Sequence, residues 1–194
     1  MKMLNIKKSL KSKGFTLIEL LIAVGFIAVA SAGVYYIYNK VKSSQDANTE
    51  ARNLDAIRAG IKNLYASSNT YGDPNLITNL FVNQARITPD GMRDSATTGT
   101  ANDTIKNKFG GTVLIAPTQL GTGAANNAFS ITYNAVPGEV CVKLVTSAGA
   151  QFDSVSVAGT LVKAFGSNIV NPVTTATECN KDTGSGVVIV FNSL

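Results

Sequence analysis

Between Phe15 and Tyr38 the chain runs for 24 residues with one charged side chain, Glu19, and no other stretch so limits the fold. As an α-helix rising about 1.5 Å per residue, this run spans about 36 Å, enough to cross a hydrocarbon core of about 30 Å with some tilt. A carboxylate within such a segment costs on the order of 2.5–3.5 kcal/mol at mid-membrane, so Glu19 calls for a use. A secretory signal peptide carries a shorter apolar region with a small-residue cleavage site after it. Here the small residue, Gly14, comes before the apolar run. A plain membrane anchor accounts for the length and leaves Glu19 unexplained. Gly25 and Gly33 lie eight residues apart among Ala23, Ala28, Ala30, Ser31 and Ala32. Small residues of this kind let a helix approach copies of itself in lipid.

The formal charge of +5 suggests nucleic-acid binding until its distribution is read. Lys2, Lys7, Lys8, Lys11 and Lys13 supply five of the 17 basic residues, and all 12 acidic residues lie after Gly14. Without this basic leader the chain is formally neutral, so the excess reads as topology, holding the leader on the cytoplasmic side. No basic patch with interleaved aromatics remains for nucleic acid.

Beyond Tyr38 the first proline is Pro74, and Ala47, Ala51, Leu54, Ile57, Ile61 and Leu64 recur at spacings of three and four. That period predicts an amphipathic continuation of one helix from Phe15 to Ala66, with Asp46, Glu50, Arg52, Asp55, Arg58 and Lys62 between the apolar positions. Residues 67–74 read as a loop, with Asp73-Pro74 capping a short helix over Asn75–Ala85 that gathers Leu76, Leu80 and Phe81. Thr88–Asn107 reads as surface loop. Strands are expected at Thr112–Ala116, Phe129–Tyr133, Ser154–Val157 and Val187–Phe191. Pro137-Gly138-Glu139 opens a helix with Val140, Cys141, Leu144, Val145 and Ala148 on one face. The fold class is α+β, a long helix packed on an antiparallel sheet. The expected divisions are 1–14, a leader; 15–38, the membrane half of the helix; 39–66, its amphipathic half; and 67–194, a globular head.

No constellation for catalysis is found. The chain lacks histidine, and it has no Gly-x-Ser-x-Gly elbow, Cys-x-x-Cys pair or phosphate loop. Asp90, Asp94 and Asp103 share a loop, but without EF-hand spacing they read as solvated charges, so no metal or cofactor is expected. In an exported domain Cys141 and Cys179 would make one disulfide; two free core thiols are the alternative.

Lys13-Gly14-Phe15-Thr16-Leu17-Ile18-Glu19 resembles the processing motif of type IV prepilins. The resemblance implies cleavage after Gly14 by a prepilin peptidase, methylation of the new amine on Phe15, and pairing of Glu19 with that amine on a neighbouring subunit. Asn107–Gly111, Ala125–Phe129 and Glu139–Leu144 are similar to segments of type IVb pilins, the group of bundlin and the toxin-coregulated pilin, and of plasmid thin conjugative pili. By the same resemblance Cys141 and Cys179 form the disulfide that bounds the family's C-terminal variable region. Phe15 and the short leader are closer to type IVa pilins, while the type IVa kinking proline is absent, with Tyr36 near its place.

The expected product is the major subunit of a homo-polymeric helical filament serving adhesion, aggregation or cell–cell contact. It resides in the inner membrane before assembly, leader cytoplasmic and head periplasmic, and then in an extracellular pilus. Its implied partners are the peptidase, the inner-membrane assembly machinery, the membrane and host or bacterial cell surfaces. A type II secretion pseudopilin, a minor pilin and a non-polymerising membrane-anchored binding module are the alternatives.

Overall fold

The computed structural model describes residues 14–72, 76–94 and 104–194. The chain forms two compact units, Met1–Val41 and Lys42–Leu194. Helix α1 (Leu17–Leu64) begins in the first and ends in the second. With no proline or helix-ending signal in the interval, its hydrogen-bond ladder has no reason to break. In the first unit every described residue is exposed, so there is helix and no core.

The second unit has a core. Ala47, Glu50, Ala51, Leu54, Ile57 and Ile61 of α1 are buried, one stripe at three- and four-residue spacing. Each large aliphatic side chain withdrawn from water contributes about 1.5–3 kcal/mol. Glu50, which the sequence reading set between the apolar positions, is buried with them. It lies one turn before Leu54, on the buried stripe, and is fully enclosed.

The stripe belongs to the same hydrophobic core as the sheet. The strands are β1 (Ile105–Lys106), β2 (Thr112–Thr118), β3 (Ala128–Val136), β4 (Ser154–Val157), β5 (Thr160–Lys163) and β6 (Val187–Ser193). Their order is β1-β2-β3-β6-β4-β5, with every neighbouring pair antiparallel. The last strand therefore fills a central slot between β3 and β4. Phe129, Ile131 and Tyr133 of β3 meet Ser193, Phe191 and Ile189 of β6 in register, and all six are buried. Beyond Tyr133 the register shifts, with Ala135 at φ +55°. A bulge forms there, and Gly186 faces Ala135 so closely that a Cβ at 186 would clash with its backbone.

Helix α3 (Gly138–Ala148) follows β3 and buries Val140, Cys141, Leu144, Val145 and Ala148, the face expected from its period. Its opening is held by Asp182, whose carboxylate accepts from the backbone N–H of Gly138 at 3.0 Å and of Gly184 and Gly186 at 2.8 Å. Those three bonds hold the Asp182 carboxyl below its ordinary pKa.

Helix α2 (Asn79–Gln84) is shorter than expected. Thr78 caps it, accepting from the Phe81 N–H at 3.2 Å, while Ile77 is pinned to the Tyr71 carbonyl at 3.0 Å. Ile77 and Val82 are buried instead of Leu76 and Phe81, which are exposed. Asp73-Pro74 and Asn75 lie outside the described residues. The stretch read as surface loop holds a 3₁₀ turn at Asp90–Met92 and β1, with Thr88, Met92 and Ile105 buried. Helix α4 (Pro172–Cys179) and β5 were not anticipated. Asn171 caps α4, accepting from Val173 and Thr174 N–H at 3.1 Å each, with Pro172 opening the helix.

Candidate processing and assembly segment

Gly14, Phe15 and Thr16 precede α1 without regular structure, and all three are exposed. The peptide bond between Gly14 and Phe15 therefore lies outside the helical ladder. Nothing lies within 4 Å of where a Gly14 Cβ would stand. Of the leader only Gly14 is described; Lys2, Lys7, Lys8, Lys11 and Lys13 lie outside the described residues.

Thr16 is a feature the sequence reading passed over. Its hydroxyl accepts from the Glu19 N–H at 3.3 Å, and its carbonyl accepts from the Leu20 N–H at 3.2 Å. Thr16-Leu17-Ile18-Glu19 thus has the spacing of a capping box, a signal legible in the sequence itself. The cap places Glu19 in the first turn, where the N-terminal helix dipole favours a negative charge by about 0.3–1 kcal/mol when exposed. That is much less than the cost of a membrane-buried carboxylate. Among the described residues the Glu19 carboxylate takes part in no ion pair.

Around it, Phe15, Leu17, Phe26 and Val29 are each at least three-quarters exposed. The apolar window of α1 reaches a mean hydropathy of 2.4, long enough to cross a membrane by length and composition. The Cβ positions of Gly25 and Gly33 meet open space. A helix bare of polar cover on all sides is stable only in lipid or among other helices.

The second unit carries polar groups that hold the core instead of offering chemistry. The Glu50 carboxylate accepts from the Tyr133 hydroxyl at 3.0 Å, the Lys108 backbone N–H at 3.2 Å and Asn53 Nδ2 at 3.3 Å. Burial pushes its pKa up, against the pull of those donors. Burial and the neighbouring carboxylate push the Tyr133 phenol well above its usual value. Folded Glu50 holds its proton more tightly than unfolded Glu50, so its contribution to stability is complete at pH below about 4.5 and declines as pH rises through its folded-state pKa. Glu50→Gln is expected to flatten that part of a urea-unfolding pH profile; an unchanged slope would remove Glu50 as its cause. Tyr133→Phe is expected to lower stability by about 1–3 kcal/mol, because the buried Glu50 carboxyl loses one of its hydrogen-bond partners.

Lys163 is likewise buried. Its ammonium donates to the carbonyls of Gly149, Ala150 and Phe152 at 3.1, 3.2 and 2.5 Å, closing the C-terminal end of α3 and its 3₁₀ extension. Cys141 in α3 and Cys179 at the end of α4 are joined in a disulfide, Cα atoms 5.7 Å apart. A cleft of about 530 Å³ beside β5, lined by Leu161, Ile169, Pro172 and other uncharged residues, presents no acid–base pair. Asp90 pairs with Arg93 at 3.4 Å and Asp94 with Lys106 at 2.8 Å, while Asp103 lies outside the described residues. Among the described residues no cluster of three acidic or cysteine side chains is arranged to hold a metal.

Residues 44–192 match the family described as PilS N terminal, and residues 9–35 match the prokaryotic N-terminal methylation motif. The chain belongs to the PilS N-terminal family. It is a type IV pilin whose body is most like the type IVb branch. The pilin is 29% identical to the toxin coregulated pilin of Vibrio cholerae serotype O1 over 77% of its own length and 64% of that protein's. The chain thus spans less than two thirds of that relative. It is 26% identical to the major structural subunit of the bundle-forming pilus of Escherichia coli O127:H6, over 92% of this pilin and 93% of that one. The crystal structure of a type IVb pilin from Salmonella typhi has the same fold, with a TM-score of 0.56 at 24% identity, covering 75% of this chain and 98% of that one. Members of this family are structural pilins, and this one is not an enzyme.

Proposed function

We propose that this pilin is the major structural subunit of a type IV pilus, released from its leader by cleavage after Gly14 and polymerised through α1 into an extracellular fibre. The observation that carries the proposal is the first unit: an apolar helix exposed on every side, with one carboxylate in its first turn and no ion pair for it among the described residues. The relatives named as pilin and as major pilus subunit support the same reading.

Cleavage makes a new α-amino group at Phe15, with an ordinary pKa of about 7.7–8.0. It is cationic through most of the physiological range, and methylation keeps that charge. The amine of one subunit meets Glu19 of its neighbour, which offsets the cost of burying either charge and sets the axial step of a helical homo-polymer. Before that the chain rests in the inner membrane with its leader cytoplasmic and its head periplasmic, handled by a prepilin peptidase and by the assembly machinery there. In this scheme residues 1–14 are the leader, 15–38 the membrane and filament-core segment, 39–66 the amphipathic continuation and 67–194 the head. The surface that the fibre meets is that of a host or bacterial cell.

Electron microscopy of sheared surface material, with the N-terminal residue and its mass determined on the same sample, tests polymer, cleavage and methylation together. Gly14→Arg is expected to leave the leader attached and to bring surface fibres below detection. A mature N-terminus at Phe15 in that variant would count against the cleavage assignment.

A further inference from the structure

The first unit ends in a change of chemistry. Tyr35, Tyr36 and Tyr38 are each at least three-fifths exposed, and Lys40 follows, also exposed. At about 100° per residue, Tyr35, Tyr36, Tyr38, Asn39 and Lys40 occupy one arc of about 200° around α1. Val34, Ile37 and Val41 occupy the other. This last turn and a half is amphipathic, whereas the helix before it is apolar all round.

From Leu17 to Tyr36 the helix rises about 28 Å, close to the thickness of a bilayer's hydrocarbon core. With the first turn at one face of the bilayer, the tyrosines reach the other. Phenol rings place an apolar body in the acyl region and a hydroxyl among glycerol esters and phosphates. A lysine one turn further extends its stem along the lipid and its ammonium to phosphate. We propose that Tyr35, Tyr36, Tyr38 and Lys40 form a docking belt for the phospholipid headgroup layer of the outer leaflet, which sets the depth of the unassembled subunit. The proposal rests on the membrane-spanning reading of this segment. A second copy of the helix suits the arc less well: apolar helix packing would leave three phenols and an ammonium without partners.

The chain has no tryptophan, so a single introduced tryptophan reports its own depth. Tryptophan shares tyrosine's preference for this layer, and Tyr36→Trp leaves the belt intact. In phosphatidylcholine vesicles holding the full chain, Tyr36→Trp fluorescence is expected to be quenched about twofold more by lipid brominated near the carbonyl end of the acyl chain than by lipid brominated near its methyl end. Phe26→Trp is expected to show the reverse preference. Adding Lys40→Leu to Tyr36→Trp should let the probe sink and bring its ratio to about one. A Tyr36→Trp probe quenched mainly from the deep position overturns the belt, as does one quenched from neither, the mark of a face covered by another copy. A ratio unchanged by Lys40→Leu overturns it too. If Phe26→Trp escapes the deep bromines, the membrane-spanning reading itself fails, which separates the two failures.

Discussion

Glu19→Ala is expected to abolish surface fibres while the head folds, the helix inserts and the leader is removed. Insertion is not impeded, because a charge at the start of the membrane segment has gone. Cleavage is expected to proceed, since the bond concerned lies five residues upstream, ahead of the cap at Thr16. Assembly is another matter. Each joining subunit would bury the Phe15 amine against a neighbour lacking its carboxylate, and removing one partner of a buried ion pair costs about 3–5 kcal/mol. At about 1.4 kcal/mol per factor of ten, each subunit addition weakens roughly a hundredfold to several-thousandfold. A helical polymer repeats that loss at every step. Immunoblots of sheared and membrane fractions, read beside micrographs, separate the outcomes. Mature protein in the membrane with an empty sheared fraction is the expected pattern, and fibres at parental density would sink the ion-pair account. Glu19→Gln refines the result: it keeps the side chain's shape and acceptor, so fibres restored by it would show that a hydrogen bond suffices.

How far the sequence could be read depended on how local each cause was. The stripe from Ala47 to Ile61, the 129–133 alternation and the α3 face are periodic, and each appears where its period placed it; Leu64, expected to end the stripe, is exposed and Tyr65 is buried in its place. Glu50 illustrates the opposite case. Spacing put it beside Ala51 on the boundary of the apolar stripe, and glutamate is almost never fully buried unless paired. Only Asn53 among its donors is local; the other two come from Tyr133, 83 residues away, and Lys108, 58 residues away, and nothing near position 50 announces those. The central place of β6 has the same origin, since a slot between β3 and β4 exists only once α3 has carried the chain across. Helix α2 starts at Asn79, behind Thr78, whose hydroxyl accepts from the Phe81 N–H. Asn171-Pro172 and Thr16-x-x-Glu19 were legible cap signals. The first opens a helix of only eight residues, too short to show a period of its own.

Removing both sulfurs, Cys141→Ala with Cys179→Ala, is expected to cost the head about 4 kcal/mol of stability, the second large effect. The bridge closes a loop between residues 38 apart, and loop-closure entropy for that length gives about 4 kcal/mol. Within the loop lie most of α3, all of β4 and β5 and nearly all of α4. β4 flanks the central strand β6, so loosening the loop also loosens the sheet. Both cysteines are buried. Alanine is the better replacement, because a serine hydroxyl left there without a partner would add about 1–3 kcal/mol of its own and hide the effect of the bridge. For a domain whose total stability is about 5–15 kcal/mol, the loss is large enough to bring the unfolded fraction within reach of proteases. Urea unfolding of the full chain in detergent, followed by near-ultraviolet circular dichroism, reads the head, since the tyrosines at 35, 36 and 38 contribute a constant signal while the helix stays in the micelle. A shift below about 1 kcal/mol would mean that packing of α3 against α4 already orders the loop without the bridge, and fibre yield should then match the parent. A shift near the expected value with fibre yield reduced in proportion would place the bridge in the supply of folded subunits and leave the joining of one subunit to the next to α1.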